Sequence, residues 1–156
     1  GICYGASAGG GRVFNATSAN GLLYALEQFP VQSGTRMPMV MNVACRTVSG
    51  PLCIKGDHSD IMYLLNTGWI ILFADDPQMV YDFNLIALKL AEKVNLPVVV
   101  AFDGFFTIRN KNAWSFLKMK PYSTLSGKNS PVTIPKSPLL PEMTPPGRIV
   151  FTVYST

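Results

Sequence analysis

The chain reads as an α/β domain, a mostly parallel sheet with helices on both faces, plus an irregular C-terminal tail. Three observations predict this. Continuous apolar runs recur at 37–44 (MPMVMNVA), 69–73 (WIILF) and 97–102 (PVVVAF). Strands covered on both faces read as such runs, whereas half-exposed strands alternate. The segments between them carry helical spacing and short turn-rich connections, in the order strand, helix, strand, helix, strand. Right-handed crossovers then place helices on both sides of the sheet. Finally, the first long run ends in a cluster of Arg46, Ser49, Gly50 and Pro51, closing on Gly56, Asp57, His58, Ser59 and Asp60. Open α/β sheets hold ligands at that carboxyl end of their strands.

Taken in order, residues 1–10 (GICYGASAGG) hold too much glycine for a helix by propensity alone. Arg12–Ala16 is a short strand. Thr17, Ser18 and Asn20 suit a helix cap, where the first N–H groups lack partners. The helix they open spans Ala19–Phe29, with Leu22, Leu23, Leu26 and Phe29 on one face, and Pro30 stops it. Asp60–Asn66 is a short helix. Asp75, Asp76 and Pro77 are a strong helix start, and that helix runs to Lys93, with lysines near its negative end. The core is expected from Val40, Val43, Ile70, Ile71, Leu72, Val98, Val99 and Val100, on three neighbouring strands.

Composition narrows the function. With 156 residues, 48% hydrophobic and 14% charged, the chain has a real core and surfaces suited to being covered by other subunits. No apolar run approaches the roughly 18 residues of a membrane span, and no signal peptide is visible. The chain opens on Gly1 without an initiator Met and reads as an excerpt of something longer. Cys3, Cys45 and Cys53 lack metal-ligand spacing and read as buried thiols in a reducing cytoplasm. The net charge of +4 conceals two regions. Residues 1–107 carry six Lys/Arg against eight Asp/Glu, and residues 108–156 carry seven against one, with seven of the twelve prolines. Trp114, Phe116 and Tyr122 interleave with lysines there, a superficial match to single-stranded nucleic acid that is set aside below.

CRTVSGPLCIKGDHSD at 45–60, TGWIILFADDPQ at 67–78, VVVAFDGFFT at 98–107 and the upstream GASAGGGRVFNATSANGLL at 5–23 carry a family resemblance. In this order they resemble the first domain of 2-oxoacid:ferredoxin oxidoreductases of the pyruvate synthase type, over about residues 1–107. The resemblance implies an incomplete pyrimidine-type thiamine-diphosphate-binding fold, with residues 1–10 helical. It implies a share in the oxidative decarboxylation of pyruvate or a related 2-oxoacid to an acyl-CoA. Thiamine diphosphate with Mg²⁺ is then shared with another domain or subunit, and iron–sulfur clusters and CoA lie elsewhere in the complex. Ferredoxin or flavodoxin takes the electrons, in the cytoplasm, without nucleic acid or membrane.

The same resemblance makes Arg46 the ligand of the 2-oxoacid carboxylate, a task suited to a guanidinium fork. The residues alone also allow an arginine that satisfies local carbonyls. Thr17 and Ser18 either cap a helix or line the cofactor cleft. The family carries a longer amide where Asn20 stands, which puts contacts from that side chain in question. His58, the sole histidine, can shuttle protons, but in the GDHSD loop it is expected, like Asp57 and Asp60, to fix the loop. The Gly9-Gly10-Gly11 run precedes a strand and fails the dinucleotide fingerprint. The family's activating glutamate falls upstream of the segment matching Gly1, and its diphosphate motif is missing, because Gly56-Asp57 continues as His58. Neither catalytic residues nor metal ligands are therefore expected here, and the isolated chain is expected to be inactive. Competing readings are another thiamine-dependent 2-oxoacid enzyme and a non-catalytic flavodoxin-like domain.

After Thr107 the resemblance stops. A one-base shift of frame, with permissible codons chosen, turns residues 108–128 into a family-like string with Gln-Lys-Arg and an acidic helical run. Residues 108–156 are accordingly expected to be frameshift-derived and not to continue the sheet, with a short helix at 112–118 and an isolated strand near 149–154.

Overall fold

A computed structural model describes residues 1–51, 53, 55–109 and the backbone of 149–153. Along the chain it places α1 (Ile2–Ala8), β1 (Arg12–Thr17), α2 (Ala19–Tyr24), α3 (Gln28–Gly34), β2 (Val40–Cys45) and α4 (Ser59–Met62). There follow β3 (Ile70–Ala74), α5 (Pro77–Val94), β4 (Val98–Asp103), α6 (Phe106–Arg109) and β5 (Ile149–Val153). The strands form one sheet, ordered β3-β4-β2-β1-β5, and every pair is parallel. Cys45 pairs with Asp103 and Ala74 with Phe102, so β2, β3 and β4 finish almost level. This shared crest carries the loops discussed below.

The alternation of side chains along each strand sorts the core into two layers. Val13, Met39, Met41, Val43, Val99 and Ala101 face α1 to α4, where they meet Cys3, Leu22, Phe29, Ile61, Leu64 and Trp69. Val40, Val98 and Val100 face α5 and pack on Ala87, Leu88 and Ala91. Helices thus cover both faces. Of the eight expected core residues, Val40, Val43 and Val98–Val100 are fully enclosed. Ile70, Ile71 and Leu72 are only half-buried, because β3 is an outer strand with a neighbour on one side alone.

The helix α5 is specified locally at both ends. Asp76 accepts the Met79 amide at 2.7 Å, Pro77 occupies the first turn, and Asn95 closes the helix in the left-handed region at φ 52°. Among the described residues, no helix is long and apolar enough to cross a membrane.

Three sequence expectations need correction. Pro30 does not stop a helix. The turn tightens at 25–28 through bonds such as Ala25 N–H to Leu22 O, and α3 then runs through Pro30. Proline is tolerated there because first-turn N–H groups have no intrahelical partner anyway. The helix expected at Asp60–Asn66 is shortened to Ser59–Met62 and passes into turns. The expected isolated strand is instead β5, paired with β1 from Arg12↔Ile149 to Ala16↔Val153. Without it, β1 would present an unpaired row of backbone groups, which a β-branched run readily fills. The helix expected at 112–118 lies outside the described residues.

Candidate functional site at the strand crest

The centre of the crest is a carboxylate. Asp60 sits in α4, is 0% exposed, and uses one oxygen, Oδ2, to accept the amides of Ala19 at 3.0 Å and Arg46 at 3.1 Å. Its Oδ1 takes the amide of Ile61 at 2.8 Å. Ala19 is the first residue of α2 and Arg46 the first after β2, so one side chain gathers three segments remote in sequence. Ala19 has φ 41°, a conformation that costs a non-glycine residue and persists only where surroundings fix it. Burial, with Asp60 alongside, pushes the Cys45 thiol up to about 12. Cys45 therefore stays a neutral S–H group at ordinary pH.

Arg46 emerges from this anchor half-buried. Its Nε is enclosed and has no hydrogen-bond partner among the described residues. Ser18 occupies the N-cap position of α2 but makes no cap bond there. Its hydroxyl donates to the Ala44 carbonyl at 2.7 Å and ties the end of β1 to β2. Thr17 Oγ1 lies against Gly21, where an added Cβ would stand 2.7 Å away, so only glycine leaves the hydroxyl its place. The contacts of Asn20, questioned from the sequence, are well defined. Its amide donates to Ser49 O and accepts Ser49 N–H, both at 2.9 Å, clasping the loop after β2.

The β4 end is organised by a residue the sequence reading passed over. Asp103 Oδ1 accepts the amides of Phe105 and Phe106, each at 2.7 Å, and Oδ2 lies 3.0 Å from His58 Nε2. Burial pushes this carboxyl up, but the two amides and His58 outweigh it and hold it below its ordinary range. The His58 ring also stands edge-on to Phe73, with centroids 4.9 Å apart. Asp57 accepts the Ser59 hydroxyl at 2.6 Å and the His58 amide at 2.7 Å, which lowers its pKa. Gly104 donates to Cys45 O at 2.9 Å, and a Cβ there would come within 2.8 Å of that oxygen. The sequence signal for Asp103 is an Asp-Gly pair closing a buried strand.

A cavity of about 820 Å³ opens between the sheet and α1 to α3. Thr17, Asn15, Met41, Tyr24, Phe29 and Trp69 are among its lining residues, and Thr17 links it to the crest. Trp69 is held in its wall by an Nε1–H bond to Phe29 O at 2.8 Å. Thr17 and Arg46 thus stand on neighbouring strand ends, and the loop residues Asp57 and His58 close the crest on the β4 side. Among the described residues, no three His, Cys, Asp or Glu side chains converge as a metal site.

Comparison with known proteins gives a consistent picture. The family model described as pyruvate flavodoxin/ferredoxin oxidoreductase, thiamine diP-bdg, matches residues 1–155. The match therefore runs beyond residue 107. Pyruvate synthase subunit PorA of Thermotoga maritima is 48% identical over 103 residues, 65% of this chain and 26% of the relative. The subunit of the same name from Methanocaldococcus jannaschii is 38% identical over 137 residues, 86% of this chain and 31% of the relative. The chain thus spans between a quarter and a third of the length of these relatives. Among solved structures, the 2-oxoglutarate:ferredoxin oxidoreductase of Magnetococcus marinus, with 2-oxoglutarate, coenzyme A and succinyl-CoA bound, superposes with a TM-score of 0.60. It is 26% identical, over 68% of this chain and 20% of that one.

Proposed function

The chain belongs to the pyruvate flavodoxin/ferredoxin oxidoreductase family of thiamine-diphosphate-binding domains, and we propose that it forms one wall of the substrate site of a 2-oxoacid:acceptor oxidoreductase. The whole enzyme, on this reading, oxidatively decarboxylates pyruvate or a related 2-oxoacid to an acyl-CoA. Other domains or subunits carry the iron–sulfur clusters and the CoA site, and ferredoxin or flavodoxin accepts the electrons in the cytoplasm.

One observation carries the proposal: the enclosed Nε of Arg46, without a partner among the described residues, at the carboxyl end of a central strand. A buried cationic donor without a partner is costly unless a ligand completes it. A carboxylate fits its planar fork through two charge-assisted bonds. Arg46 then orients the 2-oxoacid by its carboxylate and stabilises that charge while the adjacent keto carbon reacts.

The residues fit one part of thiamine diphosphate and not the other. The cavity beside Thr17 mixes aromatic and aliphatic walls with amide side chains and is roomy enough for a ring, and Thr17 is the side chain we assign to the cofactor. The Ser18 hydroxyl is engaged by Ala44 O, so Ser18 contributes by fixing the turn that presents Thr17. The family's diphosphate motif is missing, because Gly56-Asp57 continues as His58, and we assign that end with its Mg²⁺ to another domain or subunit. When bound, thiamine diphosphate supplies the carbanion stabilisation that decarboxylation needs. Asp57 and His58 are assigned to holding the loop over the crest. Lacking the diphosphate end, the 156-residue chain alone is proposed to be inactive.

A division at residue 107, with 108–156 read in a shifted frame, is a separate proposal. The jump in proline and basic charge supports it, and the family match to residue 155 weighs against it. The coding DNA decides: a one-base shift near codon 107 must restore the family pattern.

The test of the main proposal is Arg46→Ala in the full enzyme. It should raise KM for the 2-oxoacid and cost roughly 2–4 kcal/mol in kcat/KM. Unchanged kinetics would remove Arg46 from the site.

A further inference from the structure

We propose that Asp60 is a positioning residue for the 2-oxoacid, acting on Arg46 through the main chain and coupling it to the turn that bears Thr17. This rests on the assignment of Arg46 made above. Three features carry it. First, the carboxylate is 0% exposed, and its helix and the turn after it are rooted in the core by Ile61 and Leu64, 2% and 0% exposed, so it is a fixed point. Second, a single oxygen holds the Arg46 amide at 3.1 Å and the Ala19 amide at 3.0 Å. Any shift of Asp60 moves the arginine and the β1–α2 turn together, and that turn already has Ala19 in the left-handed region at φ 41°. Third, the carboxylate oxygens of Asp60 accept main-chain amides, and among the described residues Asp60 forms no ion pair with Arg46.

The third feature is the decisive one. A buried acid beside a substrate-binding arginine would ordinarily pair with it and compete with the substrate's carboxylate. Here three amide donors take up the negative charge, and the neutral Cys45 thiol stands beside it. The guanidinium is left with an enclosed donor free for a ligand. Asp60 therefore places the cation without neutralising it.

The experiment uses the full oxidoreductase carrying Asp60→Asn, Asp60→Ser, Arg46→Ala and the double variant Asp60→Asn/Arg46→Ala. An asparagine keeps the shape but presents one acceptor oxygen and an unwanted donor to three amides. Asp60→Asn should raise KM for the 2-oxoacid about ten- to a hundredfold, because small displacements at a positioned group are costly. Its kcat per folded site should fall less, and in the Arg46→Ala background the same change should add little to KM. Unchanged KM in Asp60→Asn, or a full multiplicative effect in the Arg46→Ala background, overturns the proposal. So does loss of folded enzyme in both Asp60→Asn and Asp60→Ser while Arg46→Ala folds, which would make the carboxylate a requirement of the fold alone. If Arg46→Ala itself leaves KM unchanged, the assignment of Arg46 fails. If only the Asp60 variants do so, this inference fails by itself.

Discussion

At the β1–β2 half of the crest, Asp60 is sealed from solvent and speaks only to backbone amides and a thiol. At the β4 half, Asp103 binds two amides in the same manner but keeps 15% of its side-chain surface exposed and shares its second oxygen with His58. Both residues use a carboxylate to knit main chain at a strand end. The sealed one fixes two backbone positions in neighbouring segments and leaves Arg46 free. The accessible one docks a loop through the half-exposed imidazole of His58. The difference is burial, and burial decides whether the device is a fixed mount or an adjustable clasp.

The largest effect that sharpens this contrast is on Asp60. Asp60→Ala strips the acceptor from three amides, two of which belong to remote segments, and should destabilise the chain by about 3–5 kcal/mol in urea unfolding. A loss below about 1 kcal/mol would erase the distinction between mount and clasp. Asp103→Ala leaves two amides that water can reach, and about 1–2 kcal/mol is expected. Its pH dependence has a definite sign. The folded carboxyl titrates below its ordinary value of 3.8, so its stabilisation is present above that pH and lost as pH falls through the depressed value. The gap between wild type and Asp103→Ala should therefore narrow below pH 3.8. A gap that widens in acid would reverse the argument.

The smallest effect concerns Cys45. Its thiol is raised from 9.0 to about 12, so the folded chain holds that proton more tightly than the unfolded one. The corresponding stability is present below 9.0 and lost as pH rises through about 12. In the native chain at pH 8, iodoacetamide should spare Cys45 while modifying it in urea, read by mass spectrometry. Equal labelling in both states would show that the β1–β2 half is not sealed.

Much of the sheet was legible because buried parallel strands announce themselves as apolar runs, as at Val98–Val100 and Val40–Val43. The start of α5 was equally plain, since Asp76 and Pro77 act within one turn. Pro30 misled because its effect depends on where a helix begins, and the tightening at 25–28 is not marked by any breaker residue. The contacts of Asp60 were hidden for a different reason: its partners at 19 and 46 are set by tertiary approach, and only the GDHSD loop hinted at them. The family motif singles out Arg46, whereas its enclosed Nε, without a partner among the described residues, could be seen only in three dimensions.

The central claim is that Arg46 awaits a 2-oxoacid carboxylate at the ends of β1 and β2. A structure of the full enzyme with a bound 2-oxoacid measures this directly. The account predicts carboxylate oxygens about 2.7–2.9 Å from the Arg46 guanidinium, with the main chain of Arg46 still on Asp60. A 2-oxoacid seated elsewhere, with Arg46 paired to a protein carbonyl or carboxylate, would contradict it.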